Sequence, residues 1–310
     1  MSKYTLESRP FPALGDLHQG TGNIAGSWVV VKPDSVNQDV KSQLEFTGMP
    51  YKIVVMSLEI ATQETPNWFG VSFRQGITSF DTVNIFCHPY PTKAMTNENY
   101  GTRGGDWPRV FRYAELIGRQ IDIANKNHIT IVPFFNPASY ESTGIFGANW
   151  KDIVEQILVH ARNAAQGAQV PSGKAKGAYT SIESGEFHDA TRKKGSSGPA
   201  VDLSGRLQNV VLSDFSHGRV LMWNLLKQAS GLKKFLREVW DFDGVHGPAP
   251  VAPRAFVYYN LGGGSNGTTS FPVPPERWLN WHHRVISRDD LHGDVPARLA
   301  THAATISQVG

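Results

Sequence analysis

Ser216 is the side chain whose setting most favours chemistry. It stands in Asp214-Phe215-Ser216-His217-Gly218, within residues 209–229, NVVLSDFSHGRVLMWNLLKQA. The stretch reads as a short apolar strand, a tight turn with Ser216 at its apex, and an amphipathic helix carrying Val220, Leu221, Leu225 and Ala229 on one face. Gly218 lets the chain fold back closely just after the serine, where a Cβ would clash. A serine held between a buried strand and a helix N-terminus presents its hydroxyl from a rigid base. A hydroxyl is a weak nucleophile at neutral pH, so it needs a base to take its proton and a third group to orient that base.

The five residues around Ser216 resemble the Gly-x-Ser-x-Gly nucleophile elbow of the α/β-hydrolase superfamily, with Asp214 in place of the first Gly. In that family the partners follow in the order serine, acid, histidine. The resemblance implies His292 as the base: it lies in 287–306, SRDDLHGDVPARLATHAATI, just before a helix opened by Pro296. His302 falls inside that helix, and His282 and His283 are neighbours in a Trp-rich stretch. The family usually places its acid after the strand read here at 255–259, but no carboxylate follows it. One strand earlier, Asp243 stands where 238–242 ends and a Gly turn begins. Strand alternation points Asp241 to the same side as Asp243. Asp289 and Asp290 lie beside His292, so all four carboxylates stay open, with Asp243 favoured as nearest the sheet rim.

An oxyanion hole needs two backbone N–H groups aimed at developing charge. His217, at the start of the helix after Ser216, offers one. The other is expected after an earlier strand, and 83–90, VNIFCHPY, resembles the family's strand ending in His-Gly. Pro89 replaces that Gly and has no N–H to give, which leaves Tyr90 as the donor, since Pro91 is blocked too. Cys87 beside His88 suggests a Cys–His nucleophile, but consecutive strand residues face opposite ways.

The elements that must position these residues alternate. Runs at 27–31, 52–60, 68–73 and 83–87 read as strands, the first three as an antiparallel β-rich part. A helix at 109–125, a strand at 128–135, a helix at 150–165, the Ser216 strand and helix, strands at 238–242 and 255–259 and a helix at 296–306 follow. This rhythm predicts an α/β fold with a mainly parallel sheet flanked by helices. Residues 1–26 read as an irregular arm, and 27–310 as a single domain with a Gly-, Ser- and Lys-rich surface insertion at about 166–206. Gly262-Gly263-Gly264 lacks the spacing of a dinucleotide loop.

The chain has 310 residues, 40% hydrophobic and 18% charged, enough for a sizeable core. A net charge of +3 gives no footing for nucleic acid. Cys87 is the single cysteine, which excludes an intrachain disulfide and a Cys-based zinc site. No secretory signal core or apolar run of about 18 residues is present, so a cytoplasmic protein, or one exported without a cleaved signal peptide, is expected. The resemblance implies a serine hydrolase of esterase or lipase type, with Ser216, His292 and Asp243 as triad and no metal or organic cofactor. Its substrate would be a small-molecule or lipid-like ester, with Tyr90, Trp107, Tyr140, Trp278 and Trp281 as candidate pocket aromatics. The alternative is a catalytically silent protein of the same fold that binds a ligand. A carbohydrate-binding module would account for the Trp-bearing β-rich N-terminal part and for nothing after residue 100.

Overall fold

The computed structural model of the protein describes residues 6–8, 23–24, 28–31, 53–60, 62–89, 107–168, 206–242, 244, 253–260, 281–286 and 295–310. Its centre is a set of short apolar strands: β4 (Ile53–Ile60), β5 (Trp68–Arg74), β6 (Thr82–Cys87), β7 (His128–Pro133), β8 (Asn209–Phe215) and β9 (Leu236–Phe242). β6 and β7 are buried at every position and β8 at all but its first, as strands covered on both faces must be. β10 (Arg254–Asn260) and β11 (Trp281–Ile286) extend the sheet on one side. β2 (Asn23–Ile24) and β3 (Trp28–Val31) extend it on the other, and β1 (Leu6–Ser8) pairs with β4.

The sheet runs β11-β10-β9-β8-β6-β7-β5-β4-β3-β2. From β11 to β7 every pairing is parallel, and from β7 through β5 to β2 every pairing is antiparallel. The α/β class and the antiparallel N-terminal part are therefore as the sequence predicts. The β-rich N-terminal part is continuous with the rest of the sheet through the β5–β7 ladder.

Helices cover both faces. α3 (Gly144–Ala168) and α4 (Gly218–Gln228) pack with Ile85, Cys87, Leu212 and Val239 on one side. α1 (Trp107–Ile123) and α6 (Val295–Ile306) pack with Phe86, Val211, Phe215 and Trp240 on the other. The chain moves from β6 through α1 to β7 in one direction along the sheet. It moves from β8 through α4 to β9 in the opposite direction. Parallel crossovers are right-handed, so opposite directions require opposite faces, and the two helices obey this.

Several boundaries differ from the sequence reading. β11 was not legible, because Trp281-His282-His283-Arg284 has no apolar alternation and the strand lies at the edge of the sheet. Short strands β1 and β2 lie within the stretch read as an irregular arm. α3 starts six residues before the expected 150, through a Gly-rich segment of poor helix propensity. Tertiary contacts carry that first turn: Ile145 N–H donates to the Thr65 carbonyl at 3.0 Å, and Ile145 and Phe146 are buried. α3 also runs into the start of the expected insertion, whose residues 169–205 lie outside the described ones. Two short helices, α2 (Pro137–Tyr140) and α5 (Leu232–Phe235), complete the fold.

Trp150 pins α3 to α5. Its indole N–H donates to the Ser230 carbonyl at 2.9 Å, and its ring meets Phe235 edge-on at 5.7 Å between centroids. Trp150→Ala removes a large buried ring and leaves a carbonyl without its donor. A loss of about 3–5 kcal/mol is expected in urea denaturation; a loss below about 1 kcal/mol would contradict this packing role.

Candidate active site

The opposite departures of α1 and α4 put a topological switch point between β6 and β8, which are direct neighbours. In open α/β sheets a crevice forms there, outside the carboxyl ends of the strands, because the two connections leave in different directions. Ser216 sits at that position. β8 ends at Phe215, and Ser216 takes a left-handed backbone with φ 57°. For a residue with a Cβ this conformation is costly, and it persists only where the surroundings fix it. His217 then returns to right-handed angles as the N-cap of α4. The Ser216 N–H donates to the Phe242 carbonyl at 3.3 Å, which ties the turn to the end of β9.

Gly218 makes the reversal possible. A Cβ there would run into the carbonyl of Cys87 and come to 3.0 Å from that of His88. The first turn of α4 thus lies directly on the backbone at the end of β6. On the opposite face of the sheet, Tyr113 of α1 stacks on Phe86 at 5.1 Å and lies against Phe215 at 6.2 Å. The strand ends carrying the turn are packed from both sides.

His88, just beyond β6, is fully buried and ties strand ends together. Its Nε2 accepts the Phe135 N–H at 3.0 Å, beyond the end of β7. Nε2 is therefore unprotonated, and Nδ1–H donates to the Pro89 carbonyl at 2.8 Å. Burial lowers the His88 pKa to about 4, although the bond to Pro89 opposes this. Tyr140, from α2, donates its hydroxyl to the His88 carbonyl at 2.9 Å and stacks on the His217 ring at 5.7 Å. The sequence reading placed Tyr140 among candidate pocket aromatics; it is buried and braces the two backbone segments flanking the Ser216 turn.

Asp214, the departure from the elbow pattern, has a physical explanation. It is in register with Asp241 on β9 and with Cys87 on β6, all three on the sheet face covered by α4. Two carboxylates side by side at strand spacing repel one another and are costly to bury. Arg219, from the first turn of α4, answers both: its Nε lies 3.7 Å from Asp214 Oδ2, and its Nη2 is paired with Asp241. Asp241 Oδ1 also accepts the Gly244 N–H at 2.9 Å. All three ionic side chains are buried. Sequence reasoning missed Arg219; the signal present was a carboxylate at a glycine position, five residues before an arginine on the next element.

Of the residues singled out from sequence, the structure brings Ser216, His217 and Asp214 to one strand end, with Asp241 beside them on β9. Asp241 is engaged by Arg219 and Gly244. Tyr90, Asp243, Asp289, Asp290 and His292 lie outside the described residues, as do the side chains of Trp107, Trp278 and Trp281. His302 lies within α6. Cys87 is buried, and burial first and the Asp214 charge second push its thiol pKa well up, so it stays protonated and does not act as a nucleophile. Among the described residues, no group of three or more His, Cys, Asp and Glu is arranged to hold a metal ion, and no helix is long and apolar enough to cross a membrane.

No protein-family profile and no curated protein sequence matches the chain. Among solved structures, it is similar to a dienelactone hydrolase-like promiscuous phosphotriesterase from metagenomic libraries, at 13% identity and TM-score 0.30, over 84% of this chain and 82% of that one. It is also similar to a mutant of the esterase rPPE, at 11% identity and TM-score 0.42, over 89% of this chain and 87% of that one. These likenesses are distant, and the chemistry of the site is read from its own geometry.

Two consequences can be measured. His128, at the start of β7, is buried against Trp240 and bonded to the Val309 carbonyl, and burial lowers its pKa to about 4, like that of His88. The fold holds both rings neutral, while the unfolded chain protonates them near 6.5. Their stabilisation is complete above about pH 6.5 and is lost as pH falls toward 4, by roughly 3 kcal/mol for each ring. Urea unfolding between pH 7 and 4 should show this slope, and His128→Gln should flatten part of it; a stability independent of pH in that window would contradict the burial. Gly218→Ala forces the elbow away from β6. It should cost on the order of 1–3 kcal/mol, and an unchanged melting temperature would rule out the close approach.

Proposed function

We propose that the protein is a serine hydrolase that cleaves a carboxylic ester or related acyl bond through Ser216, His292 and Asp243. The observation that carries this reading is the left-handed Ser216 between β8 and α4 at the switch point of the sheet. In this reading the strained backbone serves to present the Ser216 hydroxyl to a substrate carbonyl at the strand ends.

In this reading the Ser216 hydroxyl oxygen attacks the ester carbonyl carbon while His292 takes its proton. The oxyanion is held by the N–H groups of His217 and Tyr90. His88 supports the second donor, because it grips the carbonyl of Pro89, the peptide unit that carries the Tyr90 N–H. Collapse of the tetrahedral intermediate breaks the carbonyl–alkoxy bond, and His292 returns the proton to the departing alcohol. Water, deprotonated by His292, then releases the acid and regenerates Ser216. Asp243 orients His292. Its competitor Asp241 is already engaged by Arg219 and the Gly244 N–H, which favours Asp243, two residues further along the chain. Asp289 and Asp290 remain local alternatives beside His292. The substrate is a small-molecule or lipid-like ester.

Short-chain p-nitrophenyl esters provide the test. Ser216→Ala and His292→Ala should each lower turnover by about 10⁴-fold or more at unchanged melting temperature, and the double variant should lose little beyond either. Wild-type activity should rise with pH through a group near about 6.5, because the base must be neutral. Asp243→Asn should cost less than either substitution if Asp289 or Asp290 can take its place. Full activity in His292→Ala would remove the triad and favour a catalytically silent, ligand-binding protein.

A further inference from the structure

We infer that Arg219 is a positioning residue: by bridging Asp214 and Asp241 it locks the end of β9, which leads into Asp243, onto the first turn of the nucleophile helix. The consequence for catalysis rests on the hydrolase reading above; the lock itself does not.

Three observations converge on this role. First, Arg219 is one residue beyond Gly218 and three beyond Ser216, so its backbone moves with the elbow. Second, its guanidinium reaches across β8 to β9: Nε faces Asp214 and Nη2 is paired with Asp241. The planar fork suits this, because it presents several donors in fixed directions to two carboxylates at once. Third, Gly244 lies against the guanidinium. Gly244 donates its N–H to Asp241 Oδ1 at 2.9 Å, and a Cβ on Gly244 would come to 2.7 Å from Arg219 Nη2 and 2.6 Å from Asp241 Oδ1. A side chain at residue 244 would displace the guanidinium or the Asp241 carboxylate. In sequence, Asp243 falls between the residue Arg219 holds and the residue packed on it.

The arrangement accounts for Asp214. A buried arginine facing a single carboxylate and an open strand end could swing; a second carboxylate on the adjacent strand fixes its other side. The backbone bond from Ser216 N–H to the Phe242 carbonyl joins the same two segments, so the Ser216 turn and the end of β9 are coupled by one main-chain and one side-chain link. An error of about 1 Å in the placement of a catalytic group can cost on the order of a hundred-fold in rate, which makes a rigid link here consequential.

The test uses Arg219→Lys in the full chain, which keeps the charge and loses the fork; if it does not fold, Arg219→Gln, still able to donate to Asp241, replaces it with the same expectations. Amide hydrogen exchange at Gly244 reads the lock directly and should quicken on the order of tenfold. Turnover of a p-nitrophenyl ester should fall about tenfold or more with KM unchanged. In an Asp243→Asn background the same substitution should cost nothing further, since its effect runs through Asp243. Unchanged Gly244 exchange would overturn the lock. Quickened exchange with unchanged turnover, or an equal loss of turnover in the Asp243→Asn background, would overturn the positioning role. If the wild-type protein hydrolyses no ester, the hydrolase reading fails, and Gly244 exchange alone decides the lock.

Discussion

The close seating of α4 on the end of β6 is the constraint on which the candidate site depends. Adjacent parallel strands lie about 4.8 Å apart, and the chain leaving β8 must turn at once into a helix on one face while the chain leaving β6 departs to the other. The space for that reversal is set by the carbonyls of Cys87 and His88, which leave no room for a side chain at residue 218. The backbone strain is taken up two residues earlier, at Ser216. The strained residue and the residue without a side chain are two aspects of one packing requirement.

Polar groups buried around this turn contact one another, and those contacts tie its segments together. His88 uses both ring nitrogens, Tyr140 caps the carbonyl of His88, and Arg219 stands between two carboxylates. Each group would be costly to bury alone. Together with buried Cys87, Phe215 and Phe242 they join β6, β7, β8 and β9 at their carboxyl ends. The shape of the site is therefore held by directional contacts in addition to apolar packing.

Much of this was legible in the sequence. The run NVVLSDF followed by Ser-His-Gly announces a strand, a turn and a helix, because apolar periodicity changes from strand to helix across a glycine. VNIFC and HITIVP announce buried strands by continuous β-branched and apolar residues. Less legible were features created by contact between distant segments. Arg219 and Asp241 are ordinary charges until β8 and β9 stand side by side. Tyr140 reads as a loop aromatic until α2 is set beneath His88. β11 carries no apolar alternation, and the start of α3 depends on the Thr65 carbonyl rather than on its own propensity. Asp214 was visible as a departure from the elbow pattern, but its reason lies on a helix and a neighbouring strand.

The central claim is that Ser216 is an activated nucleophile. Intact-mass analysis after incubation of the native protein with a fluorophosphonate measures it most directly, because phosphonylation displaces fluoride and leaves a covalent adduct on an activated serine. A single stoichiometric adduct, mapped to Ser216 by peptide sequencing and absent from acid-unfolded protein, is the predicted result. No adduct on native protein, or an adduct mapped to another residue, would contradict the account.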